Sequence, residues 1–212
     1  MPSATSDLLI LAGIGLVQLL GAMSPGPSFL LTAQTAAAGS RRDGVMVALG
    51  LSLGAAAWAF AALFGLNAVF QRLPLAYAAV GLAGGLYLIW IGVRIFRAAD
   101  RPLAMAGAAG TLSRGPFLRG LVLQLSNPKV VMFFSSIFIA MLPRQTPLWM
   151  SLALVGIVFF NDLWWYSLVG AFFGSGPVQR FYAAAKGWLD RIMGLCLAGL
   201  GLRLLWLVAV SL

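Results

Sequence analysis

The sequence contains no histidine, a single cysteine (Cys196) and only five acidic residues. These absences argue against a disulfide framework, a thiol relay and a thiolate or imidazole metal site, so neither a metal nor a cofactor is expected. Charged residues make up 9% of the chain, whereas 61% of it is hydrophobic and the mean hydropathy is +0.97. Soluble domains carry far more charge. The composition therefore predicts an integral membrane protein.

Negative charge is the scarcer sign, since 14 lysines and arginines face those five acids. A basic excess of this kind can mark a nucleic-acid-binding surface. Here the basic residues lie between apolar runs, where they orient membrane spans relative to the bilayer. We therefore expect membrane lipid, and no nucleic acid, as a partner.

The 212 residues leave room for about six spans of roughly 20 to 25 residues each, joined by short connections. No second folded domain fits, so residues 1–212 are predicted to form one transmembrane domain. A polar linker at about 98–115 would separate a first half, about 7–97, from a second half, about 116–212.

Two of the six apolar runs are interrupted in their middle. The tetrapeptide Ser24–Pro27 breaks a run from Leu8 to Gly39, which as one straight helix would be about 48 Å long. Proline removes a backbone donor and clashes with the preceding turn. In lipid, such broken backbone is tolerated only where it is buried by protein or lines a cavity. Asn127–Lys129 interrupts the run from about Pro116 to Leu142, and paired interruptions of this kind point to the substrate site of a secondary transporter.

The chain also repeats itself weakly. Residues 15–20 resemble residues 120–125, and residues 87–96 resemble residues 196–205. Because each half would contain three spans, an odd number, the second half would enter the membrane upside down relative to the first. The predicted fold is an all-α integral membrane protein with six transmembrane helices. These form two inverted three-helix repeats, with helices one and four broken mid-membrane.

The interruptions have the residues of helix starts. Asn127 is a favourable N-cap and Pro128 a favourable first helical residue, and Ser24 with Pro25 can begin the other half-helix in the same way. In an inverted arrangement the two half-helix N-termini would meet at the midplane. Their free N–H groups and dipoles would attract an anion.

Two charged residues lie deep in predicted spans. Lys129 follows Asn127, which lies roughly 15 Å beyond Phe117 near the start of the span, a depth at which the lysine side chain cannot easily reach water, and some negative partner is expected nearby. Asp162 is the only carboxylate predicted in the middle of a span. It could be an ion-pair partner of Lys129 or of an arginine, it could meet a substrate ammonium group, or it could bind and release a proton. Together the two charges match a zwitterionic amino acid.

Aromatic residues could complete such a site. Trp58 would form a wall or a cation-binding face, although tryptophans in spans more often only pack or anchor at interfaces. Gly26 would allow substrate or a neighbouring backbone to come close. The predicted substrate-binding residues are Ser24, Pro25, Gly26, Pro27, Trp58, Asn127, Pro128, Lys129, Asn161 and Asp162, with Asp162 also the candidate for proton coupling.

Three groups of motifs resemble the lysine-exporter (LysE/RhtB) family. The first comprises the Ser24–Pro27 tetrapeptide with residues 39–44, 48–54 and 65–66. The second comprises Asn127–Lys129 with residues 133–134 and 142–143, and the third is Asp162–Trp164. The resemblance covers essentially the whole chain.

This resemblance implies a multi-pass carrier of the bacterial inner membrane that exports amino acids or their derivatives by proton exchange, and it is compatible with a homodimer. Some relatives carry a histidine or an acidic residue in the middle of span two, which this sequence lacks. Proton coupling would therefore depend more heavily on Asp162.

Other classes fit less well. An enzyme needs a nucleophile, a base or a metal set, and with no histidine and one cysteine those parts are missing. An exporter of a metal ion or another small solute is the alternative, but a divalent ion needs several carboxylates or soft ligands. A purely structural membrane protein would not require paired breaks with a buried lysine and aspartate.

Overall fold

The computed structural model describes residues 4–72, 74–101, 115–143, 146–173 and 176–211, so residues 102–114 of the predicted linker lie outside the described part. Eight α-helices and no strands occur in these ranges. The helices are α1 (Ala4–Met23), α2 (Pro27–Ala38), α3 (Arg41–Arg72), α4 (Pro74–Arg97), α5 (Pro116–Leu125), α6 (Pro128–Met141), α7 (Leu148–Phe172) and α8 (Gly176–Ser211).

Several of these helices are long and apolar enough to cross a membrane. Four candidate spans lie in α1, α3, α7 and α8, and the bent pair of α5 and α6 makes five if it counts as one span. Large apolar side chains such as Leu9, Phe160 and Trp206 are more than 60% exposed. Exposed apolar surface of this extent suits contact with lipid tails. The chain is thus an all-helical membrane protein, and the sixth span stays a prediction.

Both predicted interruptions are present as helix ends. α1 stops at Met23 and α2 starts at Pro27, and α5 stops at Leu125 before α6 starts at Pro128. The predicted single spans one and four are therefore each two helices.

Two predicted connections are helical instead. Residues 40–43 were expected to form a charged turn, but α3 already begins at Arg41. The Ser40 hydroxyl accepts from the Asp43 backbone N–H at 3.2 Å, and the Asp43 carboxylate accepts from the Ser40 backbone N–H at 3.0 Å. This reciprocal pair satisfies free donors at the helix start.

The other difference concerns α8. A connection was expected from Gly174 to Lys186 with the last span beginning at Gly187, but α8 begins at Gly176. Tyr182 and Lys186 are both buried in this first part of the helix. Their side chains bind backbone carbonyls at the end of α1 and in the turn after α4, so tertiary contacts, which composition does not reveal, make the segment helical.

Helix pairs approach closely where glycines meet. α3 packs against α5 and α7, and α4 packs along α8. A methyl group placed on Gly92 would lie 2.6 Å from the Gly194 carbonyl oxygen, and one on Gly201 would lie 2.6 Å from the Gly85 carbonyl oxygen. Small residues at such crossings let two backbones pack directly against each other.

The Gly92→Ala substitution is therefore expected to destabilise the folded protein by about 1–3 kcal/mol, because the added methyl overlaps backbone that cannot rotate away. Thermal unfolding in detergent would measure this. Gly199→Ala on α8 is the matched control, since a methyl group there meets nothing within 4 Å. Equal melting temperatures for the two variants would contradict the packing described.

Candidate functional site

The first break does not begin its second helix where the sequence predicted. Gly26 is the N-cap of α2, in extended conformation with φ −145° and ψ −172°, and Pro27 is its first residue. The prediction that Ser24 and Pro25 start this helix was wrong. The Ser24 backbone N–H still donates to the Leu20 carbonyl at 3.1 Å, so the hydrogen-bond pattern of α1 continues to this residue. The Ser24 hydroxyl does not cap α2 and donates to Asp190 instead.

The second break matches the prediction. Asn127 is the N-cap of α6, and its side-chain oxygen accepts from the Lys129 backbone N–H at 3.1 Å. Pro128 lies in the first turn of α6. The axes of α5 and α6 differ by 57° across this break.

Residues of both breaks line one open cavity. Its polar lining comes from the breaks themselves, from α7 and from two glutamines. The polar lining residues are Gln18, Ser24, Ser28, Gln124, Asn127, Lys129, Asp162 and Tyr166. Gly26 and Pro27 also line the cavity, together with apolar side chains that include Phe133, Met193 and Leu197. Two interruptions about a hundred residues apart in the sequence therefore face the same space.

Lys129 and Asp162 both reach this cavity, but they form no ion pair. The two ion pairs among the described residues are Lys186–Asp190 and Arg191–Asp100. Asp162 is 2% exposed and accepts one hydrogen bond, from Gln18 Nε2 to its Oδ1 at 2.7 Å. Within the described part of the chain, the Asp162 Oδ2 atom and the Lys129 ammonium have no hydrogen-bond partner. Among the described residues, Asp162 therefore forms no ion pair with Lys129 or with an arginine.

Two predicted site residues, Asn161 and Trp58, lie outside the cavity lining and bond to helices that form it. Asn161 Nδ2 donates to the Gly15 carbonyl at 3.0 Å and to Gln18 Oε1 at 2.8 Å. Trp58 Nε1 donates to the Leu125 carbonyl at 3.2 Å, at the end of α5 where intrahelical partners run out. Neither residue is part of the cavity lining, nor is Pro25.

A second buried carboxylate was missed. Asp190, on α8, is 2% exposed, so Asp162 is not the only acid inside a long apolar helix. Asp190 pairs with Lys186 at 2.8 Å and accepts from the Ser24 hydroxyl at 3.0 Å. The Lys186 ammonium also donates to the carbonyls of Ala98 and Ala99, at 3.0 and 3.3 Å. The i,i+4 spacing of Lys186 and Asp190 is the signal in the sequence that could have indicated this pair.

The free end of α1 is bound by the same stretch of α8. The Tyr182 hydroxyl donates to the Met23 carbonyl at 2.6 Å, and its ring stacks on Phe29 at 4.6 Å between centroids. A carbonyl left without an intrahelical partner is thus satisfied by a side chain. This contact explains why the first break is stable away from water.

The glutamines of the cavity were also missed. The Ser28 hydroxyl donates to Gln124 Oε1 at 2.8 Å and so joins α2 to α5 across the two breaks. Gln18 joins α1 to α7 through Asp162. Each glutamine stands inside an apolar run shortly before a break, and that isolation is the signal the sequence offered.

Comparison with known proteins shows the family to which the chain belongs. The family model for the LysE type translocator matches residues 19–207, a range that includes both breaks and Asp162. No solved structure matches the chain.

Relatives match over most of the chain or over part of it. The threonine efflux protein of Escherichia coli (strain K12) is 29% identical over 93% of this chain and 98% of its own length. The uncharacterized membrane protein YahN of the same strain is 34% identical over 86% of this chain and 83% of its own length. The leucine efflux protein of Enterobacter sp. (strain 638) is 33% identical over 54% of this chain and 55% of its own length. The chain belongs to the family of LysE type translocators, which makes it a multi-pass transport protein of the bacterial inner membrane and not an enzyme.

Proposed function

We propose that this protein exports amino acids or amino-acid derivatives, in exchange for protons, by alternating access around the cavity between the two breaks. Relatives named as threonine and leucine efflux proteins support the substrate class. The observation that carries the proposal is that Lys129 and Asp162 line the same cavity without bonding to each other, and that neither forms an ion pair with any described residue.

The two ends of an amino acid would satisfy these two charges. The substrate carboxylate binds the Lys129 ammonium at the start of α6, where the helix dipole also favours a negative charge. The substrate ammonium binds Asp162 Oδ2. Ions buried in this way are stable only when paired, so the zwitterion supplies a partner for each of the two charges.

Proton exchange follows from the same carboxylate. Asp162 is the one acidic residue in the described lining of the cavity. A proton on Oδ2 removes the charge that holds the substrate ammonium, and it also removes the cost of leaving that charge unpaired. Ammonium and proton therefore compete for one oxygen, which couples release of substrate on one side to uptake of a proton there.

Glycine contacts support the inverted repeat on which alternating access depends. Matching residues 87–96 to residues 196–205 makes Gly92 the counterpart of Gly201 and Gly85 the counterpart of Gly194. In the structure Gly92 packs on Gly194 and Gly85 packs on Gly201. A two-fold axis between α4 and α8 would exchange these two contacts, as the proposed inverted repeat requires.

The Lys129→Gln substitution tests the proposal. It is expected to lower export about tenfold to a hundredfold, because a hydrogen bond to a charged group contributes about 1.5–3 kcal/mol. The measurement is efflux of labelled L-threonine and L-leucine from loaded proteoliposomes, with and without a pH gradient. Arg203→Gln is the matched control, since it removes an exposed cation outside the cavity lining. Absence of flux for both amino acids with the wild-type protein would reject these two substrates, and equal flux in the two variants would reject the role of Lys129.

A further inference from the structure

We infer that Gln18 is a positioning residue that fixes which oxygen of Asp162 is available to substrate and proton. The inference rests on the proposed function, because it assigns Gln18 a role in substrate binding at Asp162. Gln18 is 4% exposed and lies on α1, whereas Asp162 lies on α7.

A backbone carbonyl sets the direction of the hydrogen bonds that end at Asp162. The Gly15 carbonyl can only accept, so the Asn161 amide must turn its nitrogen toward it, at 3.0 Å. The same nitrogen donates to Gln18 Oε1 at 2.8 Å. Gln18 therefore has its nitrogen left for Asp162, to which it donates at 2.7 Å. The polarity of both amides follows from one acceptor that cannot change.

This chain of bonds gives the two oxygens of Asp162 different roles. Oδ1 is held by an N–H donor, and a proton placed on it would face that donor. Oδ2, with no partner in the described part of the chain, is left for the cavity. A substrate ammonium and a proton are thereby directed to the same atom, and their competition depends on Gln18.

Close packing of α1 on α7 keeps this geometry in register. A methyl group on Gly15 would lie 3.0 Å from a side-chain methyl carbon of Ile157.

A glutamine within an apolar helix is costly unless its amide is hydrogen-bonded. A purely structural glutamine would affect how much folded carrier is present, whereas a positioning glutamine affects how tightly the folded carrier holds its substrate.

The test compares Michaelis constants for export of labelled L-threonine or L-leucine from proteoliposomes, normalised to folded carrier. Gln18→Met removes both hydrogen bonds while keeping the side-chain length. Gln18→Glu keeps an acceptor for Asn161 but replaces the N–H donor opposite Asp162 Oδ1 by a second carboxyl group, and two carboxyl groups this close share one proton. Gln179→Met is the matched control, because among the described residues Gln179 bonds the Phe173 carbonyl alone, at 2.8 Å, and it does not line the cavity.

We expect both Gln18 variants to raise the Michaelis constant about tenfold or more, since a charge-assisted hydrogen bond that orients the binding group is lost, and Gln179→Met to leave it unchanged. Michaelis constants within about twofold of wild type for both Gln18 variants would overturn the inference. So would a fall in the amount of folded carrier with an unchanged Michaelis constant in what remains. If the wild-type protein transports substrate and the Michaelis constants of both Gln18 variants are unchanged, only the inference about Gln18 is rejected. If the wild-type protein shows no flux, the proposed function is rejected.

Discussion

Replacing Asp162 by asparagine is expected to reduce net amino-acid export by about thirtyfold or more while the protein still inserts and folds. The substitution removes the negative charge offered to the substrate ammonium at Oδ2. Loss of one partner of a buried charge pair costs about 2–5 kcal/mol, and each 1.4 kcal/mol is about a factor of ten. The fold is expected to persist, because the asparagine carbonyl can still accept from Gln18 Nε2, as Oδ1 does now at 2.7 Å.

Efflux from proteoliposomes measures this effect, with Asp100→Asn as the matched control. Asp100 is an exposed carboxylate paired with Arg191 outside the cavity lining, and its substitution is expected to leave export unchanged. Exchange of labelled for unlabelled amino acid at equal pH separates the two roles of Asp162. Because ammonium and proton are proposed to share Oδ2, exchange should fall together with net export. Wild-type export by Asp162→Asn would contradict the account, and exchange that survives loss of net export would restrict Asp162 to the proton.

The second large effect is expected at the buried ion pair of α8. Asp190→Ala leaves the Lys186 ammonium buried without its carboxylate and removes the acceptor of the Ser24 hydroxyl. Removing one partner of a buried pair costs about 3–5 kcal/mol. We therefore expect a large fall in the melting temperature in detergent, with the first break and the end of α4 losing their common support.

The double variant Lys186→Met/Asp190→Leu serves as the matched comparison. Replacing a whole buried pair by apolar residues of similar volume costs much less than breaking it, so part of the lost stability should return. Asp100→Ala should have little effect, because the Arg191–Asp100 pair is exposed and exposed pairs contribute little. If Asp190→Ala melts at the wild-type temperature, the pair does not hold the first break in place.

Local chemistry explains why the second break could be predicted to the residue and the first could not. Asn127 followed by Pro128 leaves one sensible N-cap, and α6 uses it. The first tetrapeptide offers two prolines, and the choice between them depends on a distant partner. The Ser24 hydroxyl donates to Asp190 and does not cap a helix. Gly26 and Pro27 therefore begin α2 instead.

The residues that the sequence did not reveal are those whose role depends on contacts between distant helices. Residues 176–186 have the glycine, proline and charge of a connection, yet Tyr182 and Lys186 are buried against backbone ends of α1 and of the turn after α4. In the sequence, Gln18 is one polar residue in an apolar run, and only the fold brings Asn161 and Asp162 within hydrogen-bond distance of it. Depth in a span identified Lys129 and Asp162, because an intramembrane charge is costly wherever it lies. Whether a side chain is buried by a neighbouring helix cannot be inferred from the sequence of its own helix.

The most direct test of the central claim, that Lys129 and Asp162 bind the two ends of one amino acid, is competition by blocked substrates. Proteoliposomes would be loaded with labelled L-threonine or L-leucine, whichever the wild-type protein exports. In three parallel assays, the competitor would be an excess of the unlabelled free amino acid, of its methyl ester or of its N-acetyl derivative. The account predicts that the free amino acid competes strongly, whereas the ester, which lacks the carboxylate, and the N-acetyl form, which lacks the ammonium, compete at least about tenfold more weakly. Equal competition by all three compounds would contradict it.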